Sequence, residues 1–295
     1  MDVLFANVVD VFVDAQKSQS AKWFLNYQMY LAVACLAILS LIFPARKWTR
    51  HDMVEWVQDY FYGIAHTLVV FPAVAVCVSM LHYVTDRWMP WIRIDVLGHL
   101  PGYAHVLIAI LLDDCLGFTS HFIRHKVRPL WHFPTLHHTQ EYLNSFTTKR
   151  FHIVEKLFTE GLIKWIPLAI MGSPVEVWLA FYLIDAIWDH FIHSNIRMSL
   201  GPFKYLLVSP QVHRIHHSRL PEHYDKNFSD RFVIWDLIFG TAYLKSDEYP
   251  PTGVPGVPFP HEKSGLPWKI AVTYIKQWCY PFRMIYRDIT SGGQV

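Results

Sequence analysis

Four groups of histidines, each set against a long apolar run, constrain this chain more than any other feature. They are His121/His125, His137/His138, His190/His193 and His213/His216/His217. In the last, the spacing i, i+3, i+4 puts three imidazoles on one face of a helix. Imidazole suits Fe, Zn, Cu and Ni alike. A fold that gathers four such groups has donors for two metal ions, with positions left open. A single HxxHH would be a weak signal; four groups beside apolar segments are a strong one. The 18 histidines are the compositional outlier, and a net charge of +2 offers no basic surface for nucleic acid. Cys35, Cys77, Cys115 and Cys279 lack CxxC spacing, so neither a disulfide frame nor a thiolate metal site is expected.

Hydrophobic residues make up 53% of the chain and aromatics 16%, high for a soluble protein. The reading is an all-α integral membrane protein with about four transmembrane-type helices and a cytosolic helical histidine-rich domain. Residues 1–26 are loosely amphipathic and suit a membrane interface. No basic region opens the chain, so no cleavable signal peptide is expected. A first span is expected from Tyr27 to Pro44, a second from Ile64 to Val84, and a third from Tyr103 into the first histidine pair, together filling 27–120. Arg46, Lys47 and Arg50 follow the first span, and the positive-inside rule places them in the cytoplasm. Two crossings later, the histidine domain lies on that same side. Residues 121–160 form a first histidine-box region. The apolar stretch 161–189 is broken at Gly172-Ser173-Pro174 and reads as a hairpin that re-enters on the same face. A second histidine-box region covers 190–245. A proline-rich strap and a short interfacial helix, Trp268 to Arg287, fill 246–295.

Asp114 precedes His121 by seven residues, two turns on the same face. A carboxylate in an apolar helix needs a partner. The second N–H of a ligating imidazole would serve, as would a polar helix contact. Adjacent His137 and His138 point in different directions and so suit two different metals, with Pro134 in the first turn of their helix. Asn195, Asn227, Asp230 and Asp236 stand where they could orient imidazoles. A substrate passage is expected between the third helix and the hairpin. Phe118, Phe122, Trp165, Trp178, Tyr182 and Trp188 would form apolar walls, with Gly117 as a small neighbour.

From about Asp114 to Thr241 these motifs resemble the fatty acid hydroxylase/sterol desaturase superfamily of membrane di-iron enzymes. Asp114, His121 and His125 match its first box. His137, His138, Arg150 and His152 match the second, but Pro134 stands where the family carries a histidine. Either His132 fills that place or the vacancy stands; the expectation is the vacancy. Phe191 to Asn195 match F-x-H-S-N, which makes His193 the expected ligand and leaves His190 beside it as support. Ser209-Pro210 with His213, His216 and His217 match the last box. Asp236, Phe239, Gly240 and Thr241 match the closing D-x-x-F-G-T. The resemblance implies two iron ions (zinc in isolated protein) on His121, His125, His137, His138, His193, His213, His216 and His217, with His132 a ninth candidate. Asp114, His152, His190, Asn195, Asn227 and Asp236 would support them. It implies O2, two electrons from a reductase or small redox protein, and hydroxylation or desaturation of a lipid-like substrate. Two alternatives stay open. One is a zinc-dependent membrane hydrolase using Glu141 or Glu155 as base. The other is a non-enzymatic metal carrier or haem protein. A carrier would line a pore, whereas these histidines cluster on one side.

Overall fold

The structure is a computed structural model that describes residues 27–49, 52–94, 99–173, 175–262 and 264–291. The expected amphipathic segment 1–26 lies outside the described residues. Among the described residues the fold is helical, with isolated β-bridges and no strand. Helix α1 is Tyr27–Ile42, α2 runs Asp52–Trp88 and α3 is Gly102–Lys126. The hairpin follows. Its first limb comprises Ile153–Lys156, a wide π-turn over Leu157–Ile163 and Trp165–Ile170. Its second limb is α4, Val175–Ile192. Helices α5 (Pro210–His216), α6 (Ile234–Phe239) and α7 (Pro267–Thr290) complete the chain.

Among the described residues two helices, α2 and α3, are long and apolar enough to cross a membrane; the apolar part of α1 is shorter. The second helix begins at Asp52 rather than near Ile64, and α7 is longer than the expected interfacial segment. Helix α2 widens into a π-turn at His66–Val70. Pro72 lies just beyond and has no N–H for the i→i−4 ladder, and local widening accommodates such a gap.

The early part of α2 is amphipathic with its polar side inward. Asp52, Glu55, Gln58, Asp59 and Tyr62 share a buried face, while Met53, Trp56, Tyr60, Phe61 and Ile64 are exposed. That inward face grips the segment that follows the second histidine pair. Glu55 accepts the Tyr142 N–H at 2.9 Å, and Asp59 accepts from Gln140 at 2.7 Å and Asn144 at 2.8 Å. Arg150, 1% exposed, lies 3.3 Å from Asp59, which is fully buried. Its guanidinium also donates to Leu136 O at 3.0 Å and to Gln140 Oε1 at 2.7 Å. One buried ion pair thereby fixes the backbone immediately before His137.

On the other side, α4 packs against α1, α3 and α5, so the hairpin is the post around which the histidine elements assemble. The strap after Pro250 closes over α5: Arg214 donates to Pro250 O at 3.0 Å and the Gly253 N–H to His217 O at 3.2 Å. Removing one member of a buried, hydrogen-bonded ion pair strands the other charge, a loss of about 3–5 kcal/mol. Asp59→Ala is therefore expected to lower the melting temperature of detergent-solubilised protein by several degrees. Gln58→Ala, one residue away with a single bond to Glu262 O at 3.2 Å, is expected to change it far less.

Candidate metal centre

Each histidine group arrives on a locally determined element. His121 and His125 occupy the last turns of α3, whose helical register continues to Lys126. His137 and His138 lie in a single turn, Thr135–His138, which Pro134 precedes with helical φ of −66°. His193 follows α4 directly. Helix α5 is begun by Ser209, whose Oγ accepts the Val212 N–H at 3.2 Å, and by Pro210 at its first position.

The fold gathers these eight imidazoles into two quartets. His121, His125, His138 and His216 form one; His137, His193, His213 and His217 form the other. Within each quartet the ligand nitrogens lie within 4.8 Å of one another. Adjacent His137 and His138 separate, one into each. In the second quartet the Nε2 atoms of His193 and His213 are 2.9 Å apart, His137 to His193 3.1 Å, and His213 to His217 3.1 Å. In the first, His125 and His138 approach to 3.1 Å. Nitrogens about 2.1 Å from a shared ion stand roughly 3.0–3.4 Å apart, so these spacings fit ligation. The quartets adjoin, with the His138 and His217 rings stacked at 4.4 Å.

The tautomers suit each quartet to hold a cation. His121 donates from Nδ1 to Phe228 O (2.9 Å), His193 to Asp189 O (2.7 Å) and His216 to Lys226 O (2.8 Å). A neutral imidazole that donates from Nδ1 presents a lone pair at Nε2. Burial, with repulsion among neighbouring imidazoles, holds His137, His138, His213 and His217 well below the ordinary imidazole range. Burial first, with smaller repulsion from Lys156 and His216 on His193 and from Arg124 on His216, takes His193 and His216 down to about 4. All six are neutral at pH 7, as ligands must be. In the second quartet His137 and His213 both approach the single His193 lone pair, which cannot accept from both, and His217 in turn approaches His213. The buried Nε2 of His216 has no partner. One ion per quartet satisfies every inward nitrogen.

The carbonyls that set these tautomers are themselves held. Asp236 accepts the Phe228 N–H at 2.8 Å, the Ser229 N–H at 3.0 Å and the Thr241 hydroxyl at 2.6 Å. Gly240 at φ +70° ends α6 and turns Thr241 back onto that carboxylate. Asn227, itself at φ +56°, donates to Val212 O at 3.2 Å and accepts the Tyr243 N–H at 2.7 Å. Asn195 clamps Arg46 through both backbone groups, at 2.7 and 3.1 Å.

Three expected positions turn out differently. Asp114 reaches no imidazole; it accepts the Arg231 and Phe232 N–H groups and the Trp235 indole at 2.9–3.1 Å. The nearby backbone offers His121 a carbonyl, which removes the need for a carboxylate. His152 begins a helix by accepting the Val154 N–H at 3.1 Å and meets Trp278 O at 3.0 Å. His190 donates to Ser145 O at 2.6 Å. His132 stays outside both quartets, with Nε2 2.7 Å from Asp288 of α7. Four donors in each quartet leave no imbalance for it to fill at Pro134.

Two cavities flank the centre. One, about 310 Å³, reaches His125, His138, His216 and His217 past Trp131 and Tyr224. The other, about 70 Å³, touches His121, His137, His193 and His213 and lies between α3 and the hairpin, where the substrate passage was expected. Its walls are charged rather than aromatic. Of the expected contacts Gly117 lines it. Phe118 is buried against Phe122, Phe228 and Phe239. Tyr182 donates to Glu160 O at 3.2 Å, Trp188 to Asp230 O at 2.8 Å, and Trp165 is buried. The Trp178 side chain lies outside the described residues. Sequence reasoning passed over Asp185 and Asp189, whose i, i+4 spacing within an apolar helix was the available signal.

Residues 106–241 match the family described as fatty acid hydroxylase. An ornithine lipid hydroxylase of Rhizobium tropici is 25% identical over 95% of this chain and 82% of its own length. An alkylglycerol monooxygenase of Danio rerio is 32% identical over 48% of this chain and 31% of its own. Human cholesterol 25-hydroxylase is 26% identical over 61% and 64%. The chain spans less than half the length of the alkylglycerol monooxygenases it matches. No solved structure matches it.

The geometry separates His132 from His137. Elemental analysis of purified His137→Ala is expected to show loss of about one of two metal equivalents. His132→Ala is expected to retain both and to show instead a looser C-terminal helix, read as faster proteolysis near Asp288.

Proposed function

We propose, for a chain whose residues 106–241 make it a member of the fatty acid hydroxylase family, an integral-membrane oxygenase that hydroxylates an unactivated C–H bond of a lipid-like substrate. The observation that carries this reading is the pair of adjoining, buried quartets of neutral imidazoles at the end of a helix able to cross a membrane. His121, His125, His138 and His216 would hold one iron, and His137, His193, His213 and His217 the other. Bound there, the irons supply oxidation with O2: one oxygen atom enters the C–H bond, and the other leaves as water with two protons and two electrons from a reductase or small redox protein. The chain's own contribution is to fix the donors through Phe228, Asp189 and Lys226 carbonyls and to bury the centre from bulk water.

Hydroxylation is favoured over desaturation because the relatives are named as hydroxylases and monooxygenases. A hydrolase is not favoured: Glu155 is engaged by Arg124 and Glu141 is exposed. Membrane residence is supported by the exposed apolar surface of α2 and α3, including Leu68, Leu107 and Leu111. The basic residues after α1 and in the last turn of α3 support a cytoplasmic metal domain.

Lipid extracts from cells with and without the protein are expected to differ by a species one oxygen heavier, formed only in air and absent with His217→Ala. Unchanged lipids, or a product lacking added oxygen, would overturn the reading. A membrane-impermeant thiol reagent is expected to leave Lys126→Cys unlabelled in intact cells, in a background with Cys35 and Cys279 replaced by Ser. Labelling from outside would reverse the orientation.

A further inference from the structure

The last helix, α7, has three faces of different character. One is packed: Ile270, Thr273, Gln277, Tyr280 and Pro281 are buried. Tyr62 of α2 donates to Gln277 Oε1 at 2.7 Å, and the Tyr62 and Tyr274 rings lie 4.7 Å apart. Just before the helix, Glu262 O accepts from Gln58 of α2 at 3.2 Å; near its end, Asp288 meets Arg128, just beyond α3, at 2.9 Å. This part of the chain therefore runs from the first turns of α2 to the end of α3. In the orientation proposed above, both of those ends are cytoplasmic.

The second face is apolar and bare. Trp268, Val272, Ile275, Phe282, Tyr286 and Ile289 are 42–75% exposed, with exposed Cys279 midway among them. At about 100° per residue, their gaps of three, four and seven keep them within an arc of about 100°. The third face is basic. Lys269, Lys276, Arg283 and Arg287 each stand one residue after a member of the stripe and so border it along a single edge. Among the described residues none of the four has an ion pair. The helix carries one acid, Asp288, and that is turned to Arg128 and His132.

A continuous exposed apolar stripe marks a surface that something covers. Its breadth, its aromatic residues and its one-sided border of cations suit an interface between water and lipid, where Trp and Tyr sit at headgroup level and Lys and Arg meet phosphate. A second copy of the chain is a poorer match. It would bring the same four cations and no free acid on this helix to pair with them, whereas helices that zip together set opposite charges along their edges.

We propose that α7 lies flat on the cytoplasmic leaflet, with its apolar stripe among the upper acyl chains and its four cations on the phosphates of anionic lipids. The proposal shares the membrane residence of the oxygenase reading and none of its chemistry. Because Asp288 also holds Arg128 and His132, the docked helix braces the segment that leads to His137 and His138.

The test uses the full chain in lipid nanodiscs, with a bimane probe on Cys279 in a background of Cys35→Ser, Cys77→Ala and Cys115→Ala. In that background with Cys279→Ser, probes at Leu107→Cys of α3 and at Lys245→Cys, both exposed, mark bilayer and water. In discs of phosphatidylcholine with phosphatidylglycerol, acyl-chain nitroxide is expected to quench the Cys279 and Leu107→Cys probes and to spare Lys245→Cys. Aqueous iodide is expected to reach Cys279 at least about threefold less than Lys245→Cys. Lys276→Glu with Arg283→Glu, both exposed, is expected to weaken Cys279 quenching at least about threefold, as is phosphatidylcholine alone. Neither change is expected to alter the Leu107→Cys probe or the metal content. Iodide reaching Cys279 and Lys245→Cys alike would overturn the proposal. Shielding of Cys279 from iodide without quenching by lipid would overturn it too, by making the cover protein; a Cys279 disulfide between copies would then identify a second chain. Quenching that survives both charge reversal and phosphatidylcholine alone would overturn the anionic partner. If Leu107→Cys is quenched and Cys279 is not, this proposal fails and membrane residence stands. If neither is quenched, both fail. No readout requires turnover, so the oxygenase reading is decided separately by the lipid extracts.

Discussion

The structure depends on main-chain carbonyls that take the outward N–H of buried imidazoles. With Nδ1–H committed to Phe228, Asp189 or Lys226, the inward Nε2 of His121, His193 and His216 is a lone pair with a fixed direction. Neutral imidazoles are the only form burial tolerates here, and the form a metal binds. The carbonyls can do this because side chains hold them in turn. Asp236 fixes Phe228 from a helix that Gly240 terminates, and Arg150, paired with buried Asp59, fixes the carbonyl of Leu136 just before His137. The closing D-x-x-F-G-T segment is thus tied to a ligand some hundred residues upstream through one peptide unit.

Helix α2 and the hairpin follow a second constraint, that polar groups face inward and apolar groups outward. In α2 the inward carboxylates hold the loop behind the second histidine pair. In α3 and α4 the same arrangement lines a charged cavity against the second quartet. A surface that is apolar and exposed, over an interior that is charged and paired, is the arrangement a membrane environment favours.

The sequence by itself marked out the eight histidines that the fold gathers and roughly where the helices run. Spacings of three and four are read directly from helical geometry, so His121/His125 and His213/His216/His217 were legible as shared faces, as was the hairpin turn at Gly172-Ser173. Adjacency alone implied that His137 and His138 would part. Tertiary structure decided the rest, because it depends on which distant backbone comes within about 3 Å. It assigned His121 to Phe228 O rather than to Asp114, gave Asp114 to Arg231 and Phe232, and sent His132 to Asp288 of the last helix. It also decided the character of the cavity. Asp113, Asp185 and Asp230 each look like an isolated costly charge along the chain. Only the packing of α3 against α4, with the loop before α6 laid across them, shows that Asp113 and Asp185 are neutralised by a partner. Periodicity fixes the direction of a side chain about its own helix axis; it carries no information about what stands opposite.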